Sequence, residues 1–94
     1  MSEIVDYRPY LENDNKVYVE VLADFDTEGN VRPVSFVWED GNTYEVDRIL
    51  DKRPAASQKA GGAGIRYYIR VRGKETYMFM EESHGVTKWF MERK

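Results

Sequence analysis

Ile65-Arg66-Tyr67-Tyr68-Ile69-Arg70-Val71-Arg72, then Gly73-Lys74, then Glu75-Thr76-Tyr77-Met78-Phe79-Met80-Glu81, is the stretch that decides the fold of this 94-residue chain. In the first run Ile65, Tyr67, Ile69 and Val71 alternate with Arg66, Tyr68, Arg70 and Arg72. A period of two with branched and aromatic residues on one side is the pattern of a half-buried strand. Gly73-Lys74 reads as a tight turn, and 75–81 as the next strand, with Tyr77 and Phe79 against Thr76, Met78 and Met80. The pair predicts an antiparallel hairpin that buries Ile65, Tyr67, Ile69 and Val71. This register sets Arg72 near Glu75 and Arg70 near Tyr77.

The same period extends outward in both directions. Lys16 to Phe25 places Val17, Val19, Val21, Ala23 and Phe25 on one face and Tyr18, Glu20, Leu22 and Asp24 on the other. Thr27-Glu28-Gly29-Asn30 turns the chain into a strand from Val31 to Glu39, where Pro33 must sit at a start, an edge or a bulge because it cannot donate to a ladder. Asp40-Gly41-Asn42 is a hairpin signal. A third strand follows from Thr43 to about Leu50 and slips at Ile49-Leu50, as at a bulge or strand end. After Ser83-His84-Gly85 a last strand covers 87–92. Short, evenly spaced strands without a helix predict an all-β domain, a small antiparallel barrel or strongly curled sheet of about six strands, SH3-like or OB-like in size. The expected core is Val19, Val21, Val34, Phe36, Trp38, Tyr44, Val46, Ile65, Tyr67, Ile69, Val71, Tyr77, Phe79 and Trp89. Residues 1–15, polar and without period, read as a loose arm ahead of one domain at 16–94. Residues 53–64 carry no large apolar side chain and read as a flexible loop.

Composition narrows the chemistry. There is no cysteine and one histidine, His84, which leaves no disulfide, thiol nucleophile or paired-histidine metal site. No apolar run approaches the length of a membrane span, and the acidic start lacks a signal peptide's basic and apolar regions. The expectation is a cytoplasmic domain. The net charge of −3 hides an asymmetry: residues 1–47 carry 12 acids and three bases, residues 48–94 five acids and 11 bases. The stretch 48–74 has eight bases and one acid, Asp51. Such a split hints at an anionic partner, or else at acidic strands lying beside basic ones.

Motif logic disfavours an enzyme. Asp24, Asp26 and Glu28 before Gly29 imitate the start of a calcium loop, but the twelfth position is Ser35 and flanking helices are missing. Gly61-Gly62-Ala63-Gly64 lacks the Lys-Ser/Thr pair of a phosphate-binding loop. The serines have no nucleophile context, and no cofactor is implied. The basic strand is different. Arg66, Tyr68, Arg70 and Arg72 on one face, about 6.6–6.8 Å apart, would follow a phosphate backbone and stack a base. Lys52, Arg53, Lys59 and Lys74 would extend the stripe. The plain alternative is a solvated face neutralised by acids such as Glu75 and Glu45.

Val31-Arg32-Pro33-Val34-Ser35-Phe36-Val37-Trp38, Thr43-Tyr44-Glu45-Val46-Asp47-Arg48-Ile49-Leu50-Asp51, Tyr67-Tyr68-Ile69-Arg70-Val71-Arg72, Thr76-Tyr77-Met78-Phe79 and Lys88-Trp89-Phe90-Met91-Glu92-Arg93 follow one another along the chain. That succession resembles a family of small bacterial domains of unknown function that occur alone or at the C-terminus of Y-family (translesion) DNA polymerase-like proteins. It covers Val31 to Arg93, and the loop departs from it in carrying alanine and glycine. The resemblance transfers no catalytic residue and implies a link to DNA repair. Two readings follow: an accessory nucleic-acid-binding module for single-stranded or duplex partners, with Arg53, Lys59, Arg66, Tyr68, Arg70, Arg72 and Lys74 as its surface; or a protein-protein interaction domain using an edge strand or the aromatics Tyr18, Tyr68 and Phe90.

Overall fold

A computed structural model describes residues 16–55 and 63–93, strands joined by turns, bends and short irregular links, with no helix among them. The expected arm 1–15, most of the expected loop and Lys59 lie outside the described residues. Seven strands follow in chain order: β1 (Lys16–Phe25), β2 (Val31–Val37), β3 (Thr43–Glu45), β4 (Arg48–Pro54), β5 (Ala63–Val71), β6 (Lys74–Ser83) and β7 (Val86–Glu92). All pairings are antiparallel and the sheet order is β3-β2-β1-β7-β6-β5-β4. The all-β, strongly curled sheet expected from the alternation is present.

The seventh strand comes from dividing the expected third. Its first half, β3, pairs with β2, and its second half, β4, pairs with β5 at the other end of the sheet. Only Val46 and Asp47 separate the halves. The Val46 N–H donates to the Val34 carbonyl on one side, and the Asp47 N–H to the Arg70 carbonyl on the other, both at 2.9 Å. One bent segment thus ties the two ends of the sheet together, which curls it and covers part of each edge. The slip at Ile49-Leu50 is a bulge, with Leu50 the extra residue between Ile49↔Ile69 and Asp51↔Tyr68. A second bulge adds Val34, because Leu22 faces Ser35 while Ala23 faces Pro33. That extra residue explains why Pro33 is buried and Val34 is absent from the core it was expected to join.

The decisive hairpin forms, with one correction. Its turn is Arg72-Gly73, both at positive φ (53° and 80°), so Val71 faces Lys74 and Arg70 faces Glu75. Moving the turn by one residue exchanges the faces of β6. Met78 and Met80 therefore point inward opposite Tyr67 and Ile65, while Tyr77 and Phe79, expected in the core, lie on the convex side. The buried cluster is Phe36, Tyr67, Ile69, Met78, Trp89 and Met91, with Val19, Val21, Ile49, Ile65 and Val71 packed against it. Tyr67 spans the interior: its ring stacks on Trp89 at 5.8 Å and its hydroxyl donates to the Val31 carbonyl of β2.

The expected loop 53–64 is shorter than its composition suggests. Arg53 and Pro54 belong to β4, Ala63 and Gly64 to β5, and the Ala55 N–H donates to the Gly64 carbonyl at 2.9 Å. The paired turns Arg72-Gly73 and His84-Gly85 share one shape, with Arg72 and His84 both at φ 53°. Asparagine suits this conformation and a long side chain does not. His84→Asn is therefore expected to raise stability by about 0.5–1 kcal/mol, read from thermal unfolding.

Candidate interaction cleft

The convex face carries much of the expected basic stripe, and here acids of the sheet offset part of it. Arg70 pairs with Glu75 at 2.9 Å, and the same carboxylate accepts the Tyr68 hydroxyl at 2.8 Å. Arg53 pairs with Asp51 at 2.7 Å. Arg66 lies over the Tyr77 ring, 4.9 Å from its centroid. Arg72 and Lys74 leave the stripe altogether: the turn directs the Arg72 guanidinium over Tyr44, and Lys74 shares the concave side with Val71. Of the seven residues grouped by sequence, the structure thus gathers Arg53, Arg66, Tyr68 and Arg70 on one face and Arg72 with Lys74 at one end of the curl.

Between the charges runs a row of rings: Tyr68–Tyr77 at 4.8 Å, Tyr77–Phe79 at 6.4 Å, Phe79–Phe90 at 4.8 Å and Phe90–Tyr18 at 5.8 Å. Phe79 and Phe90 stack within 9° of parallel, so each ring occupies a face of the next. Lys16 stands over Phe90 and Lys88 over Tyr18. The row stiffens the four-strand wall that it covers.

The hydrogen bond from Arg70, then that from Tyr68, holds the Glu75 carboxyl below the usual range; the Arg93 fork does the same for Glu39. A depressed carboxylate pKa contributes stability that is present above the unfolded value and is lost as pH falls through the folded one. The thermal midpoint is therefore expected to fall as pH drops below about 4.5, and Glu75→Gln should flatten that slope. Both groups are exposed, so the effect is modest.

Where the wall ends, the sheet opens. The β1–β7 ladder stops at Val19↔Trp89, although β1 continues to Phe25 and β7 begins at Val86. Beyond that point β1 pairs with β2 and β7 with β6. In an antiparallel ladder alternate residues turn their N–H and C=O to opposite sides. The bonds Trp38 N–H to Asn42 and Val46 N–H to Val34 fix which residues of β2 face β3, and by alternation Val21, Ala23 and Phe25 of β1 and Thr87 of β7 face the gap. The gap is a groove of about 1080 Å³ lined by Tyr18, Val21, Ala23, Phe25, Thr87 and Trp89 among others. Its lining holds the exposed apolar side chains Leu22 (64% exposed), Phe25 (71%) and Tyr18 (52%), and exposed Val86 (53%) adjoins the lining residue Thr87.

Of Tyr18, Tyr68 and Phe90, expected exposed from the sequence, Tyr18 is exposed while Tyr68 and Phe90 are half-buried in the row of rings, and the opening itself was not foreseen. The available signal was Leu22, an apolar residue on the polar face of β1. Nothing in the pattern reveals where two strands part. Among the described residues no group of three or more potential metal ligands gathers, and no helix is long and apolar enough to cross a membrane. No protein-family model matches the chain, and no similar curated protein or solved structure is found.

Proposed function

We propose that the domain is a protein-interaction module that captures an extended peptide in the cleft between β1 and β7. The observation that carries this reading is the early end of the β1–β7 ladder beside four exposed apolar side chains. Strand addition needs such a pair of features: backbone groups to complete a ladder and apolar positions to take alternate side chains. Unpaired edges are otherwise guarded by charge or proline, and the gap side of β1 presents Val21, Ala23 and Phe25 instead. Glu20 in the lining and Glu82 opposite Thr87 have no ion-pair partner among the described residues, while Lys88, also in the lining, is engaged over the Tyr18 ring. Charge complementarity therefore favours a peptide in which apolar residues alternate with basic ones.

The test is selection of displayed random peptides on the full chain, followed by amide exchange on the complex. Expected are enriched apolar-basic sequences and new protection at Val21, Ala23, Phe25 and Thr87. Ala23→Pro removes one donor on the gap side and leaves the β1–β2 ladder intact, so it should weaken binding at least tenfold without unfolding the domain. Leu22→Glu should act in the same direction. Single-stranded oligonucleotides form the competing arm. Saturable binding with a log–log salt slope of roughly −2 to −4, lost in Arg66→Glu and kept in Ala23→Pro, would transfer the function to the convex face and overturn the peptide reading.

A further inference from the structure

The end of the curl opposite the cleft's open edge holds a second recess, and its chemistry differs. It measures about 470 Å³ and is lined by Phe36, Trp38, Tyr44, Val71, Arg72, Lys74 and Met91 among others. Phe36 and Tyr44 stack at 5.7 Å and within 19° of parallel, and the Arg72 guanidinium lies 5.2 Å from the Tyr44 centroid. A three-layer stack of ring, ring and guanidinium thus forms one side. Trp38, half-buried beside it, has no ring or cation partner among the described residues.

The two bases at this mouth lack ion pairs, like Arg66 on the convex face and unlike most arginines of the sheet. Arg32, Arg53, Arg70 and Arg93 are each tied to a carboxylate. Arg72 and Lys74 have no ion pair among the described residues; Glu92, at the edge of the same recess, has none either, and the other neighbouring acids are engaged elsewhere. Glu75 turns to Arg70 and Tyr68; Glu39 is gripped by Arg93; Asp40 accepts the Tyr44 hydroxyl at 2.6 Å and the Asn42 N–H at 2.9 Å. Asp47 accepts the Arg72 backbone N–H at 2.8 Å, which pins the turn and leaves the guanidinium free of that carboxylate. Arg72 holds this place at φ 53°, a conformation that disfavours it. Backbone strain at a cation facing an aromatic recess is a local arrangement expected of a binding site rather than of a turn selected for stability.

We propose that this mouth binds a small flat aromatic anion, a ring bearing a carboxylate or a phosphate. The ring would lie against Trp38 and the outer face of the Arg72 guanidinium, and the anionic group would take N–H donors from Arg72 and Lys74. The volume falls within the range of small-molecule pockets, and an apolar floor with a few convergent polar groups is their usual lining. The site shares no catalytic or peptide-binding assumption with the cleft and stands or falls separately.

The experiment titrates the full chain with four probes: 2-naphthoate and adenosine 5′-monophosphate, each joining ring and anion, then adenosine and inorganic phosphate, each supplying one part. Amide and indole N–H chemical shifts report the location. The expected result is saturable shifts at Trp38, Arg72 and Lys74 with a ring-anion probe, and at least tenfold weaker binding of both single-part probes. Which of the two ring-anion probes binds tighter distinguishes a carboxylate from a phosphate ligand. Arg72→Asn should weaken binding at least tenfold while raising the thermal midpoint, because asparagine suits the turn, so lost binding there is not lost folding. Lys74→Gln should weaken it as well, and His84→Asn, the same turn change at the far end, should not. Absence of saturable shifts at millimolar probe, shifts confined to the β1–β7 cleft, or unchanged affinity in Arg72→Asn would overturn the proposal.

Discussion

Tyr67→Ala is expected to bring the chain to the edge of unfolding at room temperature. Tyr67 is fully buried, stacks on Trp89 and bonds through its hydroxyl to the Val31 carbonyl. Removing a buried aromatic side chain costs about 3–5 kcal/mol. A domain of this size has a total stability of only about 5–15 kcal/mol, toward the lower end for a short chain without cross-links. The substitution also removes the contact that joins β5 to β2 across the interior, so the collapse of the cavity walls has no substitute support. Tyr67→Phe separates the two contributions. It keeps the ring and leaves the Val31 carbonyl without its partner, and is expected to cost about 1–2 kcal/mol. Chemical denaturation with Trp89 fluorescence as the signal measures both. A folded, cooperative Tyr67→Ala variant within about 1 kcal/mol of the parent would contradict the central position given to this residue.

Gly64→Val is expected to have the second largest effect, although Gly64 belongs to a segment that reads as loop. A Cβ built on Gly64 would meet the Ala55 carbonyl oxygen at 2.7 Å and the Met80 carbonyl oxygen at 2.9 Å. Both are backbone atoms, one in the neighbouring chain of the Ala55–Gly64 bond and one in β6, and neither can rotate away. Even alanine must displace a strand, so about 1–3 kcal/mol is expected for Gly64→Ala and more for valine. Gly29, with nothing within 4 Å of its Cβ position, has a φ of +88°. Gly29→Asn, which tolerates that conformation, is the matched control and should change stability little. Thermal midpoints of the three variants decide the matter. Equal effects at Gly64 and Gly29 would show that the close approach at Gly64 relaxes freely.

Residue alternation alone carried the reading of β1, β5 and β7, and that of β2 except at Val34, which the bulge takes out of the core. In those strands the branched and aromatic residues sit on one face, and the pleat converts that order directly into inside and outside. It also left a bulge among the alternatives at Pro33 and at the adjacent Ile49 and Leu50, and both sites are bulged. It failed in β6 because both faces there are apolar: Tyr77 and Phe79 compete with Met78 and Met80. With no hydrophobic contrast, the register depends on which two residues make the turn. Glycine at 73 is compatible with a turn at 72–73 or at 73–74. The packing of Met78 against Tyr67 and Trp89 and the Arg70–Glu75 pair settle it.

The binding features divide in the same way. The sequence by itself determined that this chain forms one twisted antiparallel sheet, that its bases concentrate between Arg48 and Lys74, and that Arg66, Tyr68 and Arg70 share a face. These are properties of neighbours along the chain, set by the two-residue period of a strand. Only the tertiary structure decided that Glu75 and Asp51 pair with Arg70 and Arg53 on that face while Arg66 meets only the Tyr77 ring, and that Arg72 and Lys74 instead meet Trp38 and Tyr44, residues more than 25 positions away. It alone decided where β1 and β7 part. Each of these facts depends on how the two ends of the sheet curl toward the segment at Val46-Asp47, and curl is a balance of twist, bulges and core volume summed over all seven strands. No local pattern encodes that sum, so the surfaces it creates become visible only when the strands are packed.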